Sequence, residues 1–454
     1  MQEKTLVKHT PYVPYDPEVF TYVMSEGGMI TPAGSGGFHP FEYDGWYKEC
    51  LSWHESCYIH AGLNPINTYK IKGPDAIKLL ADHSVNSFKN FPVGRSKHLI
   101  MCNENGHIII HGLAQHVAEN EVITYWLWPY LEFAIKSGDY DVTTENLTGK
   151  VFGYQMGGPR NLEILEAACG ENLHDIGFLR YKYTKIAGKD VMIYRIGMAG
   201  KLAYEVHGKI EDALPVYEAI LEAGKSFGLV KLGRHAYRVV HTEAGFPQVT
   251  VHFPFAGREG MVEYFMGLDL TQLAMPSFTG SLPANHKLQL RTPYDLGWGN
   301  WVNFDHDFIG KEALKKVSNE SKYTVAMLEW DPESVLSIYR ANFDETKNIS
   351  VMEWAEDFSN FRGSNEYHSD LILDKNGNEI GASSGRYFSP YFHKMLSLAT
   401  IETKFASIGT KVNVLWGDPG TDQMKIEAVV AKYPYIDEDR NEHVDTSTIP
   451  YGFK

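Results

Sequence analysis

Arg195-Ile-Gly-Met-Ala-Gly-Lys-Leu-Ala-Tyr-Glu-Val206 is the stretch whose reading decides the fold, because it sets one carboxylate, Glu205, on an otherwise apolar strand just after a glycine-punctuated turn. Gly197 and Gly200 permit the positive φ angles of a tight turn, and the flanking residues 191–194 and 202–206 read as short strands. The expected local structure is a hairpin with Glu205 near its mouth. A carboxylate there is either a solvated group on an edge strand or a hydrogen-bond acceptor for a polar heterocycle, since Glu is rarely buried unpaired.

Working outward, helix and strand patterns alternate. Residues 67–71 read as a strand, and Gly73-Pro-Asp-Ala76 opens a short helix through Leu80, with Pro74 in the first turn and Asp75 favourable to the helix dipole. The same grammar returns at Gly157-Gly-Pro-Arg160 ahead of an apolar-periodic run at 162–168, which points to a duplicated unit. Leu214, Tyr217, Ile220, Leu221 and Phe227 predict one apolar helix face between Asp212 and Gly228, and residues 233–245 predict a further helix ending at glycine. Beyond about residue 320 the texture becomes strands, including 324–330 and 411–416, with a turn at Asp374-Lys-Asn-Gly377. The organisation expected is an N-terminal arm or lid over 1–45, an α+β region over 46–320 and a β-rich domain over 321–454.

Composition bounds the function. With 454 residues the chain exceeds a single ordinary core, and 43% hydrophobic with 13% aromatic content implies ring-lined cavities. Fifty-seven acids against 42 bases give a net charge of -15, which disfavours a phosphate backbone, so no nucleic-acid partner is expected. Four cysteines without C-x-x-C spacing fit a reduced protein, and no apolar run of membrane-spanning length occurs, so a cytoplasmic protein with no membrane partner is expected. P-loop, dinucleotide-binding and H-E-x-x-H motifs are absent. The 19 histidines are scattered, and the five-residue separation of His111 and His116 is poor for two ligands, so no metal is expected.

Three segments in order carry a family resemblance: the 195–206 stretch, LGWGNWVNFDHDFIGKEAL at 296–314 and GASSGRYFSPYFHKMLSLATI at 381–401, with KGPDA at 72–76 ahead of them. Together they resemble the glycine cleavage T-protein (aminomethyltransferase) family, and the likeness spans about residues 46–420. Within it the nearest likeness is to tetrahydrofolate-dependent aromatic O-demethylases of the vanillate and syringate type. The residues supporting this are Arg195 with GMAG at 197–200, where aminomethyltransferases usually carry Tyr-Thr-Gly, together with FDHDFIG at 304–310, SLATI at 397–401 and LEAGKSFGL at 221–229.

The resemblance implies a three-domain α+β cloverleaf around a central folate channel, with a mostly β C-terminal domain and 46–320 forming two interleaved α+β domains. It implies tetrahydrofolate as cofactor and a small methoxylated aromatic substrate. Glu205 matches the glutamate that hydrogen-bonds the pterin; Phe178, Phe246 and Arg195 fall on the cofactor side; Tyr237 matches an active-site tyrosine. Departures matter too. His111, in Asn105-Gly-His-Ile-Ile-Ile-His-Gly112, takes the place of the family's acid, and Tyr58-Ile-His-Ala-Gly-Leu-Asn64 lacks the usual acid and histidine. Where vanillate-type enzymes place an arginine for the substrate carboxylate, this chain has Ile123-Thr-Tyr-Trp-Leu-Trp128.

The chemistry expected is methyl transfer from an aryl ether to N5 of tetrahydrofolate, which needs a donor at the departing phenolic oxygen. Tyr237 and His111 are the candidates, with His60 a third; a histidine titrates near neutrality with little environmental help. Tyr125, Trp126 and Trp128 are the expected substrate contacts, and they could instead form a cation-π cage for a sulfonium, betaine or amine donor. A folate-binding module without turnover is the remaining alternative.

Overall fold

The computed structural model describes all residues except 1–9, 20, 26, 28–36, 198–200, 250, 269, 271–276, 353–365, 438 and 454. Among the described residues, the strands form three large sheets and one two-stranded ribbon. The first sheet runs Tyr181–Ile186, Lys189–Tyr194, Ala203–Lys209, Val151–Gly157, Cys57–His60, Leu229–Lys231, antiparallel except for the last pair. The second, wholly antiparallel, runs Ser96–Cys102, Ile108–Ala118, Glu121–Tyr125, Thr68–Lys72, Thr143–Asn146.

The third sheet closes on itself. Glu366–Leu373, Glu379–Ser389, Lys394–Glu402, Tyr323–Trp330, Met424–Ala431 and Lys411–Trp416 pair in succession, and the last returns to the first, closing a barrel. Its core includes Leu328, Trp330, Ile401, Val414 and Ile426. Two features cross the expected boundary at 320. Ser277–Thr279 joins this third sheet in parallel with residues 366–368, and the C-terminal tail leaves the barrel and returns to the helix Asn161–Cys169, where Gly452 N–H donates to Glu166.

The duplicated strand, glycine and helix grammar is real in both sheets. Thr68–Lys72 leads through Gly73 to the helix Ala76–His83, and Val151–Gly157 leads through Gly158 to the helix Asn161–Cys169. Both glycines have positive φ, 148° and 123°, and a Cβ on either would lie within 2.8 Å of backbone, so no other residue fits. The helices bury Leu79 and Leu80 in one case and Leu162, Ile164 and Leu165 in the other, each side chain contributing about 1.5–3 kcal/mol.

Three local expectations need correction. Gly197 is not in a positive-φ turn; it is glycine because a Cβ would sit 2.2 Å from the Ala203 Cβ, while Gly200 lies outside the described residues. In the helix Ala213–Gly224 the buried face is Ala213, Val216, Tyr217, Ile220 and Gly224, and Leu214 is 37% exposed because the apolar stripe starts one residue earlier. Third, Glu205 is not on an edge strand: Ala203–Lys209 lies between Lys189–Tyr194 and Val151–Gly157, with Glu205 paired to Tyr194 on one side and Gln155 on the other.

The helix Arg234–Glu243 joins the units. Every one of its residues is buried although seven are polar, which is unlike a helix that merely fills a core. His235 meets Glu42 of the N-terminal arm at 2.8 Å, and the Glu243 carboxylate accepts from Trp53 Nε1, His54 Nε2 and Ser389 Oγ, tying the first unit to the barrel. Thr242 Oγ1 donates to the Gly385 carbonyl.

Candidate active site

A cavity of about 530 Å³ opens where these elements meet, and Glu205, Gln155, Tyr237, His111, His98, Phe178, Phe246, Trp126 and Trp128 are all on its wall. Glu205 is 7% exposed. Its Oε2 accepts from His207 Nε2 at 2.8 Å and its Oε1 from Gln155 Nε2 at 3.3 Å; the Gln155 carbonyl in turn accepts from Tyr58 Oη at 3.1 Å. Strand geometry explains the set: Gln155 is the cross-strand partner of Glu205, and His207, two residues on, shares its face. An ionised carboxylate has about four lone-pair sites, so about two stay open toward the cavity. That open acceptor pair suits the donor edge of a pterin, so the residues present fit a folate ring at this wall.

Tyr237 is buried on the inner helix. Its ring stacks on His60 with centroids 4.0 Å apart and planes 5° from parallel, and His241 meets it edge-on at 5.1 Å. His60 Nδ1 and His39 Nε2 both donate to the Leu232 carbonyl, at 3.0 and 3.1 Å, which fixes both tautomers. His60 does not reach the cavity wall; it sits behind the Tyr237 ring and positions it. Burial and the adjacent His39 push its pKa well below the usual histidine value.

His111 does line the cavity, but the expectation that it titrates easily does not hold. Burial pulls its pKa down to about 4, so the ring is neutral at physiological pH. It can give a hydrogen bond and cannot serve as an imidazolium acid. Beside it stand His98, at 5.5 Å between centroids, and Trp298, at 5.1 Å.

The aromatic segment splits. The strand Glu121–Tyr125 ends at Trp126, whose φ of 66° breaks the extended backbone, and Trp126 and Trp128 face the cavity. Tyr125 is on the opposite face: its hydroxyl donates to Gln115 Oε1 at 3.2 Å and its ring packs on His207, so it supports the wall from behind and cannot complete a cation cage. Arg195 is likewise turned away. Its guanidinium donates to the Asn441 carbonyl, Asn441 Oδ1, and the Val444 and Ile176 carbonyls, while Asn441 Nδ2 reaches the Ala203 carbonyl. Arg195 therefore clamps the tail, and that tail supplies Arg440, Asn441 and Glu442 to the cavity.

Sequence reading missed Gln155, His207, His98, Trp301 and the tail. His207 carried a usable signal, the i, i+2 spacing from Glu205; the tail carried none. Among the described residues there is no group of three or more potential metal ligands, and no helix is long and apolar enough to cross a membrane.

Comparison with known proteins gives the family and the fold. The family described as the GCVT N-terminal domain matches residues 22–252. Sesamin methylene transferase of Sinomonas sp. (strain No.22) is 39% identical over 437 residues, covering 93% of this chain and 96% of that protein. Syringate O-demethylase of Sphingobium sp. (strain NBRC 103272 / SYK-6) is 32% identical, covering 90% and 92%. Glycine cleavage system aminomethyltransferase T from Bartonella henselae has a similar fold, with a TM-score of 0.63 over 91% of this chain and 97% of that one at 16% identity.

Proposed function

The chain belongs to the glycine cleavage T-protein (aminomethyltransferase) family and is a tetrahydrofolate-dependent methyltransferase, and from that premise we propose that its donor is a methoxylated arene, released as a phenol. The observation that carries this reading is the shared cavity: the buried Glu205 acceptor and the buried Tyr237 phenol face one aromatic-walled space. Glu205, with Phe178 and Phe246 nearby, would hold the pterin. Tetrahydrofolate supplies the accepting nitrogen.

The residues of this chain do the rest. Phe246, Trp126 and Trp128 exclude water and hold an aromatic ring in line, and such alignment removes much of the barrier of a substitution. The departing oxygen develops negative charge, which a donor held in a dry site stabilises far better than one in water. Tyr237, fixed by its stack on His60, is placed to give or share its proton there, an effect of about 10²- to 10⁴-fold. Neutral imidazoles assist by hydrogen bonding without adding charge.

A second reading has a specific observation in its favour: the 39%-identical relative is named for methylene transfer. The same cavity could take a methylene unit bridging two phenolic oxygens, giving 5,10-methylenetetrahydrofolate in place of the 5-methyl product. Incubation with tetrahydrofolate and a panel of methoxyarenes, methylenedioxyarenes, betaines and sulfonium compounds, followed by folate mass analysis, separates these. Product from aryl ethers alone supports the proposal. Product from betaines or sulfonium compounds alone overturns it, and tight folate binding with no product from any donor points to a non-catalytic module.

A further inference from the structure

His98 and His111 stand on neighbouring strands of the second sheet. Ile100 pairs with His111 and His98 with Leu113, so the two imidazoles are diagonal neighbours on one face. Both rings are on the cavity wall. Burial lowers the pKa of each, and the nearness of His111 lowers that of His98 further, so each is neutral, with one N–H and one bare nitrogen.

Which nitrogen carries the proton follows from the surroundings. His98 Nδ1 and His111 Nε2 are buried without a hydrogen-bond partner among the described residues. A lone pair tolerates that position better than an N–H, because orphaned buried donors are rarer than under-satisfied acceptors. The protons therefore belong on His98 Nε2 and His111 Nδ1, the two nitrogens that are not sealed off in this way. A slot of rings surrounds the pair: Trp301 lies 4.7 Å from His98, and Phe246 lies 6.0 and 6.1 Å from the two imidazoles.

We propose that His98 and His111 are specificity-determining residues: paired neutral N–H donors that recognise two adjacent ring oxygens of an arene, such as a 2-methoxyphenol or a methylenedioxybenzene. Ring centroids 5.5 Å apart let two donors converge on neighbouring oxygens, each through a hydrogen bond of about 2.9 Å. The inference rests on the aryl-ether reading above and adds the substitution pattern of the ring.

The test is equilibrium binding to the full chain without folate, followed by tryptophan fluorescence or calorimetry, using 2-methoxyphenol, 1,3-benzodioxole and methoxybenzene. The two vicinally oxygenated probes should bind about 3- to 10-fold more tightly than methoxybenzene, the value of one added hydrogen bond. H98L and H111L should each collapse that ratio toward one while the thermal midpoint and tetrahydrofolate affinity stay near wild type. If the leucine variants do not fold, H98N and H111N serve, with the ratio falling at least about 2-fold. A wild-type ratio of one, or a ratio unchanged in the folded variants, overturns the inference. Vicinal preference in binding with no turnover of any aryl ether would instead sink the proposed function and leave the subsite standing, so the two failures are distinguishable.

Discussion

Replacing Glu205 by glutamine keeps the size and planarity of the group and removes its charge. In the wild-type chain the carboxylate accepts from His207 and Gln155 and has about two acceptor sites left for a ligand. Hydrogen bonds to a charged partner are worth about 1.5–3 kcal/mol and neutral ones about 0.5–1.5, so two pterin N–H bonds weaken by about 2–3 kcal/mol in total. That is roughly a 30- to 150-fold loss in tetrahydrofolate affinity. Calorimetric titration of E205Q beside wild type reads it directly, with thermal melts to establish that the fold is intact. E205A should lose more and should also be less stable, because it strands the buried donors of Gln155 and His207, at about 1–3 kcal/mol each. An E205Q dissociation constant within about 3-fold of wild type, where one weakened bond alone predicts a larger change, refutes the reasoning.

Other outcomes follow from the same geometry. Y237F should lower kcat by about 10²- to 10⁴-fold with little change in folate affinity; an unchanged kcat would remove Tyr237 from the chemistry. R195M frees the tail from three hydrogen bonds, so amide exchange at residues 440–444 should rise by at least about 10-fold while the strands of the first sheet stay protected; equal exchange would show that the clamp does not hold the tail. Acid should destabilise the fold: burial depresses His39, His83 and His111 from about 6.5 to about 4, and His252 to about 3. Their contribution is complete above pH 6.5 and is lost as pH falls toward 4 and 3, since the unfolded chain takes up protons that the folded one refuses. The slope is about 1.4 kcal/mol per pH unit for each histidine at most, and a melting temperature flat from pH 7 to 5 would contradict it.

Glu205 shows how much of the site was legible. Its strand, the strand before it and their close approach could be read locally, because alternation and glycine placement are local signals. That the strand is central was not legible: the neighbour that buries Glu205 is Gln155, 50 residues earlier, and strand order is a long-range property. Gly197 was rightly singled out for the wrong reason, since a glycine in sequence does not distinguish positive φ from close packing against Ala203. Alternation put His111 on a strand, but its low pKa comes from burial by distant elements. Tyr125 and Trp126 are adjacent in sequence and opposite in role because one backbone φ of 66° at Trp126 ends the strand. The tail that Arg195 holds lies some 246 residues from it, beyond the reach of any local pattern.

The most direct measurement of the central claim uses a ¹³C-labelled methoxyarene, tetrahydrofolate and the intact chain, with the label followed by NMR and mass. The account predicts that ¹³C appears on the folate, with an equimolar phenol and with loss of both in Y237F. Label that stays on the arene, with betaine or sulfonium donors methylating the folate instead, would contradict it.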